Sequence, residues 1–272
     1  MALAYACSRG HNGGMSIKKY PRLAASAGLT LAALLLAGCN VFRVATVPMA
    51  TQLDRASCSA AAKTLLVFLP GRYTSTDEFV QEGFVREVRE RRIAADVLLV
   101  DAHMGYYDNF SVVDRLEADV FAPARAAGYS EIWLLGISLG GLGAVLHEES
   151  LPGSINGMVL LAPYLGDRAQ LAPIEAAGGL RAWQAPTGAL PRDPMEPRIW
   201  RWLQASAGAP PRALPPIYLG YGGEDRFVYS HRLLAAALPP EQVFTTPGGH
   251  NWPEWRRLWQ QALAVLPLPK CS

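Results

Sequence analysis

The sequence predicts an α/β fold in which a mostly parallel β-sheet carries helices on both faces. Three observations lead to this prediction. Short, continuous apolar runs, such as residues 65–69 and 132–135, are typical of strands that are buried on both faces of a parallel sheet. Between these runs lie segments whose apolar residues are three or four positions apart, as in amphipathic helices. The two kinds of segment alternate, which indicates consecutive βαβ units.

The predicted elements follow one another along most of the chain. In the first predicted helix Val80, Phe84 and Val88 are spaced four apart and mark its buried face. Asn251 is placed to cap the last helix, with Glu254 three residues later. We expect strands at residues 65–69, 94–100, 131–137, 155–161, 216–221 and 242–246, and helices at residues 76–92, 111–122, 139–149, 229–238 and 251–266.

Residues 165–213 interrupt the alternation. They are rich in Ala, Gly, Pro and Arg and contain Trp183, Trp200 and Trp202. We expect this insertion to contain one or two short helices. Its tryptophans form either the core of the insertion, which is the usual place of such residues, or the wall of a substrate pocket.

The N-terminus has the features of a signal peptide. Basic residues within 18–22 precede an apolar run at residues 29–37 that is too short to span a bilayer comfortably. Either Met1 or Met15 is the start of this segment. We therefore expect a signal peptide at residues 1–38, a tether and lead-in at residues 39–62, and one α/β domain at residues 63–272.

The charge balance gives no indication of a nucleic-acid partner. Four of the 25 Lys and Arg residues, and none of the 23 Asp and Glu residues, lie within residues 1–38. The rest of the chain therefore has 21 basic and 23 acidic residues and a net charge of −2. A nearly neutral domain lacks the basic surface that is typical of nucleic-acid binding. No cluster of His, Cys, Asp or Glu has the spacing of metal ligands, so we expect neither a metal nor another cofactor.

The strongest motif is Gly136-Ile137-Ser138-Leu139-Gly140, which lies between a predicted strand and a predicted helix. A sharp strand-to-helix turn would hold Ser138 in a strained backbone conformation, with glycines on either side because larger side chains would clash. Such a turn exposes the serine hydroxyl at the carboxyl end of the strand, where α/β sheets bind their ligands. A plain helix N-cap is the alternative role for Ser138.

Two further residues, Asp225 and His250, lie in the loops that follow two late strands of the predicted sheet. With Ser138 they occur in the order nucleophile, acid, histidine, and in this pattern the chain resembles the α/β-hydrolase superfamily over most of residues 64–266. The resemblance implies that Ser138 attacks the substrate, His250 acts as general base and Asp225 orients the histidine. Glu224 is the alternative acid. A helix cap for Asp225 and a surface turn for His250 are the alternative roles of these residues.

The resemblance also implies an oxyanion hole and a cap. The family takes one donor from the backbone N–H after the nucleophile, here Leu139, and one from the loop after the first strand, here Arg72. In that loop the family often has His-Gly, whereas this chain has Pro70-Gly71. The insertion at residues 165–213 occupies the position where the family commonly builds a cap or lid.

The implied activity is hydrolysis of a small-molecule carboxylic ester through an acyl-enzyme on Ser138. A lipase, thioesterase or amidase with the same triad is an alternative, and so is a non-catalytic envelope lipoprotein that uses the fold for binding. The other histidines are weaker candidates for the site. His103 follows a strand and would line the pocket, whereas His147 and His231 are expected to be solvated.

The sequence Leu36-Ala37-Gly38-Cys39 resembles a bacterial lipobox. By this resemblance Cys39 becomes the lipidated first residue of the mature protein, with acyl chains such as palmitate, and ties the domain to a membrane. The next residue is Asn40 and not Asp, which in the resemblance implies the outer membrane, facing the periplasm. An uncleaved membrane anchor and a plain secretory signal are the alternatives.

Two cysteines remain in the domain once residues 1–38 are removed and Cys39 is modified. These are Cys58 and Cys271, which lie near its two ends. Because thiols outside the cytoplasm tend to oxidise, we expect the two to form a disulfide, with two free thiols as the alternative.

Overall fold

The computed structural model describes residues 43–58, 60–193, 195–208 and 214–271. The predicted signal peptide and the lipidation site at Cys39 lie outside these residues. The strands are β1 (Thr51–Asp54), β2 (Thr64–Leu69), β3 (Ala95–Val100), β4 (Glu131–Ile137), β5 (Gly157–Leu161), β6 (Ile217–Gly222) and β7 (Val243–Thr246).

These strands form one seven-stranded sheet in the order β1-β3-β2-β4-β5-β6-β7. β1 pairs antiparallel with β3, and every other pairing is parallel. The carboxyl ends of β2 to β7 therefore lie along one edge of the sheet, which we call the carboxyl edge. The mostly parallel sheet confirms the predicted fold class.

Helices connect the strands and cover the sheet. They are α1 (Thr76–Gln81), α2 (Phe84–Glu90), α3 (Met104–Asp108), α4 (Val112–Leu116), α5 (Ala122–Ala126), α6 (Leu139–Ser150), α7 (Arg168–Ala176), α8 (Glu196–Gly208), α9 (Val228–Ala235) and α10 (Trp252–Val265). A π-helical turn, Glu117–Phe121, joins α4 to α5, and a 3₁₀ turn, Pro240–Gln242, precedes β7.

The alternation of side chains along β2 shows how the core is divided. Leu65, Val67 and Leu69 contribute to one hydrophobic cluster, which is completed by α4 to α9. Leu66 and Phe68 contribute to a second cluster with α1, α2 and α10. Successive strand residues point to opposite faces, so a continuous apolar run is what a strand needs when helices cover both faces.

Several elements differ from the sequence prediction, and α3 was not predicted at all. The helix expected at residues 76–92 is interrupted at Gly83, whose φ of +79° is left-handed and ends α1. Because of this break Phe79 is buried and Val80 is 49% exposed, so the predicted buried face was wrong at Val80. The helix at residues 111–122 continues through the π-helical turn into α5. β1 was not predicted, because its sequence Thr-Gln-Leu-Asp is largely exposed on an edge strand and has no apolar period.

The tryptophans of the insertion pack into the core. Trp200 is 1% exposed, belongs to the cluster on the α6 face, and donates from Nε1 to the Leu165 carbonyl at 2.7 Å. Trp202 belongs to the same cluster, and Trp183 packs against it. These contacts favour the core role of the tryptophans over a role as a pocket wall. The insertion contains α7 and α8, in line with the one or two helices expected.

A disulfide joins Cys58 to Cys271, with their Cα atoms 5.3 Å apart, and confirms the predicted pairing. It ties the segment before β2 to the C-terminus, and the Cys271 N–H donates to the Arg92 carbonyl at 2.7 Å. Within the described residues, every helix is too short or too polar to cross a bilayer.

Candidate active site

Ser138 lies in the turn between β4 and α6 and has an unusual backbone conformation. Its φ of 52° and ψ of −111° are strained for a residue with a side chain. A Cβ on Gly136 would clash with the backbone of Gly140, and a Cβ on Gly140 would clash with the carbonyl of Leu69. The two glycines of the motif are therefore required by close backbone contacts, and these contacts hold the turn sharp.

Hydrogen bonds from β5 hold this turn in place. The Ser138 N–H donates to the Leu161 carbonyl at 2.9 Å, and the Ser138 carbonyl accepts from the Tyr164 N–H at 2.9 Å. Both backbone groups of Ser138 are thus bonded to the neighbouring strand and its loop. The strained conformation is maintained by partners on both sides, as expected where surrounding structure compensates for strain.

The structure brings Ser138, His250 and Asp225 into one hydrogen-bonded chain. His250 Nε2 lies 2.9 Å from Ser138 Oγ, and His250 Nδ1 lies 2.7 Å from Asp225 Oδ2. The three residues follow β4, β7 and β6, so the carboxyl edge of the sheet positions all of them. Asp225 is 2% exposed and Ser138 is 5% exposed. Proton transfer from Ser138 to His250 requires no rearrangement of these side chains.

The loops that carry Asp225 and His250 are tied to each other. The Gly223 N–H donates to the Thr246 carbonyl at 2.7 Å, and the Glu224 N–H donates to the Gly248 carbonyl at 3.0 Å. Asp225 then points inward while the side chain of Glu224 is exposed. Of the two carboxylates considered from the sequence, Asp225 is the one that bonds His250.

Solved structures of other proteins share this fold, although no protein-family model and no curated protein match the sequence. Est1E from Butyrivibrio proteoclasticus, solved with bound ferulic acid, is 15% identical with a TM-score of 0.52, and the match covers 79% of this chain and 94% of that one. A ferulic acid esterase is 14% identical with a TM-score of 0.52, covering 79% and 95%. A hydrolase from Pseudomonas aeruginosa is 21% identical with a TM-score of 0.50, covering 80% and 94%.

This chain has the α/β-hydrolase fold. At such low identities the likeness concerns the fold alone, and the fold does not fix the chemistry.

The environment of Asp225 favours its charged form. Burial by itself raises the pKa of this carboxyl group. The hydrogen bonds from His250 and from the Phe227 N–H, which lies 2.8 Å from Oδ1, outweigh burial, so the pKa lies below its usual value. An ionised Asp225 accepts a hydrogen bond from the protonated Nδ1 of His250. This leaves Nε2 unprotonated and able to accept the hydroxyl proton of Ser138.

Aromatic side chains hold the ring of His250 from two sides. The Phe227 ring lies 5.2 Å and the Trp255 ring 5.1 Å from the imidazole, centroid to centroid, and both are almost perpendicular to it. Such edge-to-face contacts limit rotation of the imidazole. Neither aromatic residue was identified as part of the site from the sequence, because only the fold brings them to His250.

His231 is a buried neighbour of the hydrogen-bonded residues Asp225 and His250, and the prediction that it is solvated was wrong. It is 0% exposed, and its Nε2 lies 2.9 Å from the Pro163 carbonyl, just before Tyr164. Burial lowers its pKa to about 4, so the ring is neutral at neutral pH and donates from Nε2. His231 thereby supports the same loop whose Tyr164 N–H bonds Ser138.

The other two histidines in the described part of the chain, His103 and His147, lie outside the chain of hydrogen bonds. His147 is also 0% exposed, so the prediction that it is solvated was wrong. Its ring stacks on that of Phe121 with centroids 4.1 Å apart, and its Nδ1 lies 3.2 Å from Ser154 Oγ. His103 is 7% exposed, and its Nδ1 accepts from the Gly105 N–H at 3.2 Å, so it caps α3.

The loop expected to supply an oxyanion donor lies beside the serine. A Cβ placed on Gly71 would lie 3.4 Å from Ser138 Cβ, so Gly71 lies directly next to the serine. The Thr74 N–H donates to the Gly71 carbonyl at 3.2 Å and closes a tight turn. The side chain of Arg72 is exposed, with its guanidinium 4.8 Å from the centre of the Tyr73 ring. Leu139 is the first residue of α6 and directly follows Ser138.

A cavity of about 340 Å³ lies away from Ser138. It lies between α4, the end of α6 and the segment before α8, and none of the three hydrogen-bonded site residues lines it. The lining includes Tyr107, Phe110, Leu146, Arg192 and Met195. Hydrogen-bond geometry, and not cavity size, therefore identifies the candidate site. No group of three or more His, Cys, Asp or Glu side chains in the described part of the chain is placed to hold a metal ion.

Proposed function

We propose that this protein is a serine hydrolase that cleaves carboxylic esters through an acyl-enzyme on Ser138. The observation that carries the proposal is the hydrogen-bonded chain from Ser138 through His250 to Asp225, with Ser138 at a positive φ. The solved structures with this fold include a ferulic acid esterase, which is consistent with an ester as substrate. A lipase, thioesterase or amidase would use the same three residues.

In the proposed mechanism His250 removes the hydroxyl proton of Ser138 as Oγ attacks the ester carbonyl carbon. Asp225 holds the imidazole in the required tautomer and stabilises its positive charge. His250 then protonates the leaving alcohol, and the acyl group stays on Ser138. His250 then deprotonates a water molecule, which attacks the acyl-enzyme, and it returns this proton to Ser138 Oγ as the acid is released.

The negative charge on the carbonyl oxygen requires two backbone donors in this mechanism. The proposed donors are the N–H of Leu139 at the start of α6 and the N–H of Arg72. Support comes from the position of Leu139 beside Ser138 and from the close contact of Gly71 with the serine. The proposal assigns no role to the Arg72 side chain.

A fluorophosphonate probe tests the proposal directly, because it reacts with activated serines. We expect covalent labelling of the wild type and none of Ser138→Ala. His250→Ala should lower turnover of a nitrophenyl ester by at least about 10³-fold. If folded wild-type protein is not labelled, the fold serves binding and the hydrolase proposal is wrong. If the wild type is labelled, a chain-length series of nitrophenyl esters defines its acyl preference.

We further propose that Cys39 carries a lipid that attaches the domain to the outer membrane, facing the periplasm. The lipobox-like sequence at residues 36–39 and Asn40 support this proposal. Labelled palmitate should be incorporated into the wild-type protein and not into Cys39→Ser. Recovery of both proteins in the soluble fraction would contradict a lipid anchor.

A further inference from the structure

Two aromatic residues connect the serine turn to the proposed base. Tyr164 is bonded to the turn, because its backbone N–H donates to the Ser138 carbonyl at 2.9 Å. Phe227 follows Asp225 by two residues, and its ring lies 5.2 Å from that of His250, centroid to centroid. The rings of Tyr164 and Phe227 contact each other edge to face, with their centroids also 5.2 Å apart. We call these two residues the aromatic pair.

The aromatic pair is less enclosed than the aromatic residues of the core. Trp200 and Trp259 are each 1% exposed, and each donates from Nε1 to a backbone carbonyl. Tyr164 and Phe227 are only half-buried, and Phe227 belongs to neither hydrophobic cluster of the described residues. The Tyr164 hydroxyl has no hydrogen-bond partner within the described part of the chain, and its oxygen is not buried. Part of the pair is therefore open for contact with a bound molecule.

The reaction geometry brings a substrate close to these rings. The carbonyl carbon of the ester has to approach Ser138 Oγ to about 3–3.5 Å, and the leaving oxygen has to come within hydrogen-bond reach of His250 Nε2. Phe227 packs against that imidazole, and Tyr164 is bonded to the backbone of that serine. A six-membered ring that is joined to the ester group through one methylene is therefore within contact distance of the aromatic pair.

An aromatic ring on the substrate gains more from this contact than a saturated ring of the same size. Aromatic rings attract one another in edge-to-face and offset arrangements, in addition to the apolar area that they bury. This additional attraction corresponds to about a 2- to 12-fold difference in binding. The exposed Arg226 holds the Phe227 ring in place, with its guanidinium 4.8 Å from the ring centre.

We propose that Tyr164 and Phe227 form a subsite for an aromatic ring of the substrate, next to the ester group that Ser138 attacks. The inference rests on the proposed hydrolase and deepens it, because it names the substrate class as esters with an aromatic ring. The recognised chemistry is the planar ring, whether the acyl group or the alcohol carries it. A pair that served only to hold His250 would affect all esters alike, whereas a subsite affects aromatic esters selectively.

Two matched pairs of esters test the subsite. Benzyl acetate and cyclohexylmethyl acetate differ only in whether the ring of the alcohol is aromatic. Ethyl phenylacetate and ethyl cyclohexylacetate differ in the same way in the acyl group. For each ester, kcat/KM is divided by the rate constant of its alkaline hydrolysis, which removes differences in intrinsic reactivity. The aromatic preference is the ratio of the two corrected values within a pair.

Three variants separate the ring of Tyr164 from its other features. Tyr164→Leu removes the ring, and Tyr164→Phe keeps the ring and removes the hydroxyl. Both variants retain the backbone N–H that bonds Ser138. Tyr218→Leu is the matched control, because Tyr218 is another half-buried tyrosine that packs on an aromatic ring, that of Phe244. It lies near the start of β6, at the end of the strand opposite to the loop with Asp225.

We expect the wild type to prefer the aromatic member of at least one pair by about 2- to 12-fold. The pair that shows the preference identifies the acyl group or the alcohol as the carrier of the ring. Tyr164→Leu should reduce this ratio to about 1, whereas Tyr164→Phe and Tyr218→Leu should keep it.

A wild-type ratio of about 1 in both pairs would overturn the subsite, and this result does not depend on the folding of any variant. An unchanged ratio in Tyr164→Leu, or an equal loss in Tyr164→Phe or Tyr218→Leu, would overturn it as well. Fluorophosphonate labelling of the same proteins reports Ser138 separately. A labelled wild type without aromatic preference contradicts the subsite alone, whereas an unlabelled folded wild type contradicts the hydrolase and the subsite together.

Discussion

At the scale of single residues, two neighbouring carboxylates have different environments. Asp225 is buried, bonds His250 and accepts the Phe227 N–H, whereas Glu224 is exposed. Their backbones are adjacent, so the difference arises from the loop, in which the Glu224 N–H bonds the Gly248 carbonyl. In the proposed mechanism, an oriented and ionised carboxylate is what His250 needs to accept a proton from the serine hydroxyl.

This difference predicts a large loss of activity for one conservative substitution and almost no change for the other. Asp225→Asn should lower kcat/KM for a nitrophenyl ester by at least about 10³-fold, because an amide neither fixes the tautomer of His250 nor stabilises its positive charge. Glu224→Gln is the matched control and should change kcat/KM less than about threefold, since the side chain is exposed. A large loss for Glu224→Gln together with a small one for Asp225→Asn would assign the acid role to Glu224.

At the scale of elements, the turn between β4 and α6 depends on close backbone packing. A Cβ on Gly140 would meet the carbonyl oxygens of Leu69 and Pro70, at the beginning of the loop that lies beside Ser138. The turn and that loop therefore form one packed unit, in which the position of the serine and the position of the proposed oxyanion donor are set together.

Two glycine substitutions test this packing. Gly140→Ala should lower the free energy of unfolding by about 1–3 kcal/mol, as overpacking does, and should also reduce kcat because the loop is displaced. Gly208→Ala is the control, since a Cβ there would meet nothing within 4 Å at the end of α8, and stability should be unchanged or slightly higher. Urea unfolding followed by circular dichroism measures both, and an unchanged Gly140→Ala protein would contradict the packing argument.

The elements also show what the sequence could predict and what it could not. β4 was predicted within its bounds because a strand buried on both faces is a continuous apolar run. Ser138, Asp225 and His250 could be proposed because each lies at or shortly after the carboxyl end of a strand, and parallel strands bring those ends together. β1 was missed because an exposed edge strand needs no apolar pattern. The burial of His231 was missed because its partner, the Pro163 carbonyl, is 68 positions away in the sequence.

At the scale of the whole molecule, buried histidines connect stability to pH. Burial lowers the pKa of His147 and of His231 to about 4 in the folded protein, whereas an unfolded histidine has a pKa of about 6.5. Between these values the unfolded chain binds protons that the folded protein excludes. The stabilisation is therefore complete above about pH 6.5 and is lost as the pH falls towards 4. Glu148 acts in the opposite sense, because burial raises its pKa in the folded protein.

We therefore expect the free energy of unfolding to fall between pH 6.5 and pH 4.5, by up to about 1.4 kcal/mol per pH unit for each of the two histidines. Urea unfolding at pH 7.5, 6.5, 5.5 and 4.5 measures this slope. His231→Gln is the informative variant, since its amide retains an N–H for the Pro163 carbonyl but does not titrate. It should lose the part of the slope that His231 contributes, while its stability at pH 7.5 changes little. A wild-type profile that is flat over this range, or a variant whose slope equals that of the wild type, would show that proton uptake by His231 does not accompany unfolding.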